Sequence, residues 1–299
     1  MNPALKKLLQ KIRLVREVQA GRWLLEKRDE GLHEIFIDYP LQPRPRYGHG
    51  GRPHARLFDI INRDRSVYGR TLSDIVPFAG DLQQIPVRTP GDARTPYWMN
   101  RFFQGVDPAS LYALVCRENP RRYVEIGSGN STKFARRAIQ DHRLRTQITS
   151  IDPHPRAEID ELCDEVRRDG LGQTDLAIFE MLEAGDIVFM DGSHRVFMNS
   201  DVAVFFLDVL PNLRTGVLVY IDDIYLPFDY PPEWVVRHYS EQYMLAVLLL
   251  AETRRYEVIL PCTFVGQDRE LMAILDPVWK KGALMEAGGP GNGFWLRIR

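Results

Sequence analysis

The sequence predicts an α/β fold: a doubly wound, mostly parallel sheet of seven strands with helices on both faces. Three observations carry that expectation. From Asp107 onward, short apolar runs alternate with segments of helical periodicity, the pattern of repeated strand–helix–strand units. Residues 123–132 read Tyr-Val-Glu-Ile-Gly-Ser-Gly-Asn-Ser-Thr, a strand, a glycine turn and a helix start in direct succession. Acids stand at the ends of four of the apolar runs: Glu125, Asp152, Asp191 and the pair Asp222–Asp223.

In chain order, Asp107 caps a helix that runs through Glu118, with Leu111, Leu114 and Val115 on one face. A strand over 122–126 follows, then a helix over 131–140 opened by Ser131 and Thr132, and a strand over 148–152. The pattern then predicts a helix over 157–168, strands over 175–179 and 186–191, and a helix over 201–212. A buried strand over 216–221 precedes a long helix over 232–253, and strands over 256–264 and 293–298 complete the sheet. Those last two lack a strand–helix–strand pattern and are expected to close the sheet as an antiparallel hairpin.

Residues 1–106 read as an N-terminal extension of helix, arm and lid, and 107–299 as the main domain. Leu5, Leu8, Leu9, Ile12, Val15 and Val18 recur at helical spacing between basic residues. That helix either packs with a solvated basic face, on its own domain or a second subunit in a homodimer, or lies on a membrane surface. Residues 40–56, rich in Pro, Arg, Gly and His, read as an irregular arm. Its arginines either meet an acidic substrate or simply wrap the surface.

Composition narrows the function classes. A net charge of −1 over 299 residues gives no whole-chain case for binding nucleic acid or an anionic membrane. The three cysteines, Cys116, Cys163 and Cys262, are far apart and form neither a disulfide framework nor a metal pair, which fits a cytoplasmic protein. The basic N-terminus lacks the apolar core of a secretory signal. The longest apolar run, Met244 to Ala251, falls far short of the roughly 20 residues that span a bilayer.

In a doubly wound sheet, ligands bind beyond the carboxyl ends of the strands. Gly127, Ser128, Gly129, Asn130 and Ser131 would bring bare backbone and helix N–H groups to a nucleotide-like ligand. Asp152, at the tip of the second strand, lies 25 residues after Gly127, near the distance at which an acid can hold both ribose hydroxyls. Asp191, Asp222 and Asp223 form a hard-oxygen cluster suited to Mg²⁺, or else Asp191 caps a turn and Asp222 meets the cofactor. His194, three residues past Asp191, reads as a base or a ligand.

Together these residues resemble the class I S-adenosylmethionine-dependent methyltransferases. Glu125-Ile126-Gly127-Ser128-Gly129 looks like that superfamily's first motif, whose acid and glycines surround the methionine and ribose portions. Asp152 matches its ribose acid, and Met190-Asp191-Gly192-Ser193-His194, with Asp201 beyond, resembles a bacterial subgroup with an Asp-x-Ser-His turn. Asn100-Arg101-Phe102-Phe103 and Gly293-Phe294-Trp295-Leu296 also look like that subgroup. Asp191, Asp222 and Asp223 fall where metal-dependent O-methyltransferases keep their ligands, although Asp223 stands where catechol-type enzymes use an amide.

The resemblance implies a Rossmann-like methyltransferase fold over roughly 100–299, S-adenosylmethionine as cofactor, Mg²⁺ as a second one, and a small-molecule or sugar hydroxyl as acceptor. Asp191 and His194 are its catalytic candidates, and Asp191 also faces the cofactor. Two other readings stand beside it. A nicotinamide oxidoreductase would share the glycine turn but needs a third glycine that is missing here. A non-catalytic binding module would use the basic N-terminal helix and arm as its working surface.

Overall fold

Runs such as Ile187-Val188-Phe189-Met190 and Leu218-Val219-Tyr220-Ile221 have no polar alternation, so both of their faces must be covered. They become the centre of the sheet. The computed structural model describes residues 38, 40–155, 157–279 and 282–299, and Arg44–Arg299 form the unit considered below. The helix expected within 4–28 lies outside the described residues.

The strands are β1 (Arg122–Ile126), β2 (Gln147–Ile151), β3 (Glu165–Arg167), β4 (Ile187–Met190), β5 (Leu218–Ile221), β6 (Tyr256–Pro261) and β7 (Phe294–Ile298). They lie in the order β3-β2-β1-β4-β5-β7-β6. The first five are parallel, while β7 runs antiparallel to both β5 and β6. The expected closing hairpin is therefore present, with β7 inserted inside the sheet.

The long helical segments are α1 (Ala55–Asn62), α2 (Arg65–Ser73), α3 (Val106–Glu118), α4 (Asn130–His142), α5 (Asp201–Val204) and α6 (Glu241–Leu250). α5 continues through a π-turn, Phe205–Val209, and a 3-10 turn, Leu210–Asn212. From β1 the chain steps outward through α4 to β2, and from β4 it steps the opposite way through α5 to β5. Right-handed crossovers in opposite directions place α4 and α5 on opposite faces. The switch of direction lies between β1 and β4, so the crevice opens at their carboxyl ends.

Leu57, Ile61, Tyr68 and Leu72 from α1 and α2, with Trp98 and Phe103, are buried in the same core as the sheet residues. No helix among the described residues is long and apolar enough to cross a membrane.

Four expected elements differ. The segment 157–168 is not a helix but a turn, Asp160–Leu162, followed by β3. Asp164 draws it to the sheet: its N–H donates to Ile148 O (2.9 Å) and its carboxylate accepts Ile148 N–H (2.8 Å). Residues Ala177–Glu180 are a helical turn instead of a strand, with Asp175 accepting Ala177 N–H at 3.0 Å. The long helix over 232–253 is broken at His238, whose φ of 52° separates a 3-10 turn, Pro232–Arg237, from α6. β6 stops at Pro261 because proline has no N–H to extend the ladder, and a short helix, Cys262–Gly266, follows.

Candidate active site

Gly127 is where two strand ends meet. Its N–H donates to Ile151 O of β2 (3.0 Å), and its φ is 77°. A Cβ there would stand 1.7 Å from Asp191 O, so only glycine fits. Asp191 N–H in turn donates to Ile126 O (2.8 Å). The turn after β1 and the loop after β4 are thus in direct contact.

Asp152 comes to the same place from β2. One carboxylate oxygen accepts Ser128 N–H (2.8 Å) and the other His154 N–H (2.8 Å), leaving lone pairs on both, and the residue is half-buried. Ser128 Oγ pairs with Ser150 Oγ at 2.7 Å, which fixes the turn to β2. Gly129 has an extended φ of 175°, and a Cβ there would meet nothing within 4 Å. Neither crowding nor a left-handed φ demands glycine at that point; a side chain would simply fill the space above the turn. Asn130 and Ser131 form the first turn of α4 beside it.

Glu125 lies beneath the turn, fully buried. Tyr123 OH donates to one oxygen (3.1 Å) and the Thr132 hydroxyl to the other, while Thr132 Oγ1 accepts Gly129 N–H at 3.0 Å. Burial pushes its pKa up to about 7, against the hydrogen bonds from Ser131, Thr132 and Tyr123 that favour the charged form. Glu125 therefore props the loop from inside.

At the tips of β4 and β5, His194 is wedged among three carboxylates. Its Nε2 lies 3.2 Å from Asp191 Oδ1 and 3.4 Å from Asp223 Oδ2, and its Nδ1 lies 2.9 Å from Glu241 Oε2. Burial alone would lower its pKa, but the hydrogen bonds and charges of Asp191 and Glu241 hold it well above the ordinary histidine value. The ring is then an imidazolium with both nitrogens engaged.

Burial raises Glu241 to about 7 and Asp223 to about 6, in each case against the opposing charge of His194. Asp222 is raised well above its usual value by burial and by the charges of Asp191 and Asp223. It accepts Tyr220 OH at 2.7 Å, while Asp223 accepts Asn292 Nδ2–H at 2.6 Å. Ser193 is held by Asp201, which accepts its N–H (2.6 Å) and its hydroxyl.

Sequence reasoning missed Glu241 and Asn292. Glu241 sat inside the expected long helix; the break at His238 makes it a first-turn residue aimed back at His194. The available signal was the polar pair Glu241-Gln242, fully buried in an otherwise apolar helix. Asn292 had no signal, because its role comes from its placement beside β7.

A cavity of about 620 Å³ adjoins this cluster beyond the tips of β5 and β7. Arg101, Phe102, Gln104, Tyr225, Trp234 and Asn292 line it, together with His49 and Gly50 of the arm. Asp107 forms its inner wall. The carboxylate is buried and accepts Asn292 N–H (2.8 Å) and Gly293 N–H (3.0 Å), and burial pushes it up to about 6. A second cavity, about 780 Å³, lies at the tips of β2 and β3.

The model of a methyltransferase-domain family matches residues 124–224, the span from β1 to just past β5 that holds Gly127, Asp152, Asp191 and Asp223. Residues 124–224 are thus similar to a methyltransferase domain. Solved structures similar to it include an O-methyltransferase from Bacillus cereus in complex with S-adenosylhomocysteine. That likeness has 16% identity and a TM-score of 0.38, and covers 77% of this chain and 90% of that one. A methyltransferase from Podospora anserina bound to the same molecule is 15% identical with a TM-score of 0.40, over 90% of this chain and 100% of that one. None of the curated proteins compared with the chain matches it.

The glycine turn and Asp152 could hold an adenosyl sulfonium cofactor. A Cβ at Gly129 would meet nothing within 4 Å, and Asp152 keeps lone pairs beyond its bonds to Ser128 and His154. Magnesium fits less well. Among the described residues no three His, Cys, Asp or Glu side chains converge as a metal-holding group. Of the expected ligands, Asp222 is turned to Tyr220, and the gap between Asp191 and Asp223 is taken by the His194 ring. The expected three-aspartate metal group is therefore not formed as the residues stand here.

Proposed function

We propose that this protein transfers a methyl group from S-adenosylmethionine to a hydroxyl of a small-molecule acceptor. The observation that carries the reading is the junction at Gly127, where a bare open cradle, an acid with spare lone pairs and a carboxylate cluster meet at three adjacent strand tips. The cofactor supplies a methyl carbon already activated by its sulfonium charge. What remains for the protein is alignment and removal of the hydroxyl proton.

Asp152 accepts hydrogen bonds from the ribose, and the first-turn N–H groups of α4 face the amino-acid end. Ser128 fixes the turn, and Gly129 leaves the room. Asp191, the most accessible carboxylate of the cluster at 41% side-chain exposure, stands between cofactor and acceptor. Asp223, held near neutral pKa, orients the hydroxyl and takes up its proton. His194 has no free ring nitrogen to serve as the first proton acceptor; it positions the two aspartates as a fixed cation.

Calorimetry with S-adenosylhomocysteine tests the cofactor half. Binding in the micromolar range that weakens by about tenfold in Asp152→Ala supports it; no binding to the wild type sinks it. Transfer of isotope-labelled methyl to a panel of alcohols and phenols tests the oxygen half, and label found only on amines would reassign the nucleophile.

A further inference from the structure

The cavity beside Asp223 sorts charge along its depth. Its inner end is acidic: Asp107 is 1% exposed, and Asp223, whose side chain is 14% exposed, stands directly behind Asn292. Its mouth is basic. Arg101 is exposed there and makes no hydrogen bond or ion pair with another described residue. Nearby, the Arg237 guanidinium stacks 4.1 Å above the Trp234 ring that forms one side of the cavity.

Arg101 is presented by a built turn. Asn100, 4% exposed, accepts Phe102 N–H (3.1 Å) and Phe103 N–H (2.8 Å), and donates to Tyr97 O and Phe103 O (both 2.8 Å). These bonds hold Arg101 at a φ of 72°, a left-handed conformation that a free arginine avoids. A guanidinium on a held backbone, without a partner among the described residues and at the rim of an aromatic-sided cavity, is a recognition element for an anion.

Accordingly, we propose that the cavity takes a ring alcohol bearing an anionic group, a carboxylate or a phosphate, with the anion on Arg101 at the mouth and the hydroxyl directed inward to the end walled by Asp107 and Asn292, behind which Asp223 stands. This rests on the methyl-transfer reading for what happens to the hydroxyl, but not for which molecule binds. The physical basis is simple. A negative group pushed to the inner end would face Asp107 and Asp223 and be repelled; a hydroxyl there finds acceptors. At the mouth the preference reverses, so the acceptor enters in one orientation. Tyr225 and Trp234 supply flat apolar faces for the ring between the two ends.

The test uses matched pairs: glucuronate with glucose, glucose phosphate with glucose, and protocatechuate with catechol. Each is titrated by calorimetry into the full chain saturated with S-adenosylhomocysteine. The acid of at least one pair should bind about tenfold or more tightly than its neutral partner, the gain of one charge-assisted contact. Which pairs respond shows whether carboxylate or phosphate is read. Arg101→Gln should remove that preference and leave neutral binding and S-adenosylhomocysteine binding unchanged, and Arg101→Lys should keep part of it. Equal binding of every acid and its partner, no binding of any acid, or a preference that survives in Arg101→Gln overturns the proposal. If S-adenosylhomocysteine itself does not bind, the functional reading falls alone; the same pairs titrated into the unloaded protein still decide what the cavity selects.

Discussion

Gly127 and Gly129 sit two residues apart and need glycine for different reasons. At Gly127 a Cβ would collide with the backbone of the β4 loop, whereas at Gly129 it would point into open space. Gly127→Ala should therefore lose several degrees of Tm, because two strand ends must part to admit the methyl. Gly129→Ala should keep its Tm within about 2 °C and lose about tenfold or more in cofactor affinity. Thermal unfolding and calorimetry on both variants check this. His194 makes a third case. His194→Ala removes the cation between Asp191 and Asp223, and kcat should fall by about tenfold or more while cofactor affinity stays within about threefold. A His194→Gln variant, which still donates to one carboxylate, should recover part of the loss.

The meeting of the glycine turn with Asp152 and the Asp191 loop could be read from sequence because each stands at the end of an apolar run. The true position of Glu125 could not. Its place in the motif points toward the crevice, yet the pleat of β1 turns its side chain under the turn, among Tyr123 and Thr132.

At the scale of elements, the arm is the most consequential segment. Asp229, in the loop after β5, accepts Arg46 N–H (2.6 Å), Tyr47 N–H (2.8 Å) and Tyr243 OH (3.0 Å). His49 Nε2 lies 2.9 Å from Asp229 O, and Gly48, with φ 79°, passes so close to Phe228 that a Cβ would come within 2.9 Å of it. One carboxylate thus ties arm, loop and α6 together, and places His49 and Gly50 on the cavity wall. Asp229→Ala leaves two N–H groups without their acceptor and should cost about 2 kcal/mol in denaturant unfolding. It should also raise the acceptor KM more than the cofactor KM, since the arm touches the cavity and not the glycine turn.

The sequence marked 40–56 as irregular from its Pro, Gly and His content, but what it packs on depends on a residue far along the chain. The helix expected over 157–168 failed for a related reason. Its local pattern was helical, and the competing attraction was the exposed edge of β2, which pairing with β3 and Asp164 satisfies.

Across the whole molecule, several buried acids have pKa values above their unfolded ones: Glu125 and Glu241 near 7, Asp107 and Asp223 near 6. Each binds a proton more tightly when folded. Their contribution is complete below the unfolded carboxyl pKa of about 4 and is lost as pH rises through the folded values. Asp164, Glu257 and Asp268 are shifted down and act in the opposite sense. Glu125→Gln isolates one of the first group, because glutamine mimics the neutral acid. Relative to wild type, this variant should gain stability as pH rises from about 4, the unfolded carboxyl value, to about 7, where Glu125 ionises in the folded protein, and the gain should level off above that. A constant difference across that range in denaturant midpoints would show that Glu125 ionises equally in both states.

The same scale governs the sheet. β7 supplies the partner of both β5 and β6. Deleting residues 293–299 should leave two bare edges and an aggregating protein, checked by sedimentation and near-ultraviolet circular dichroism. Parallel pairing of β2, β1, β4 and β5 followed from the alternation of apolar runs, whereas β3 did not, because 157–168 reads as helical. The insertion of β7 between its neighbours did not, because the two short runs at the end fit either edge equally well on pattern alone.

That insertion governs how the sheet is completed. The strand that lies between β5 and β6 comes after both in the chain, so the sheet cannot close beyond β5 until β7 is in place, and folding must pass a stage with an unfilled slot. Until β7 threads into it, β6 is an adhesive ribbon that β5 or another copy can capture wrongly. Correct closure therefore requires β7 to reach that slot before a competing strand does.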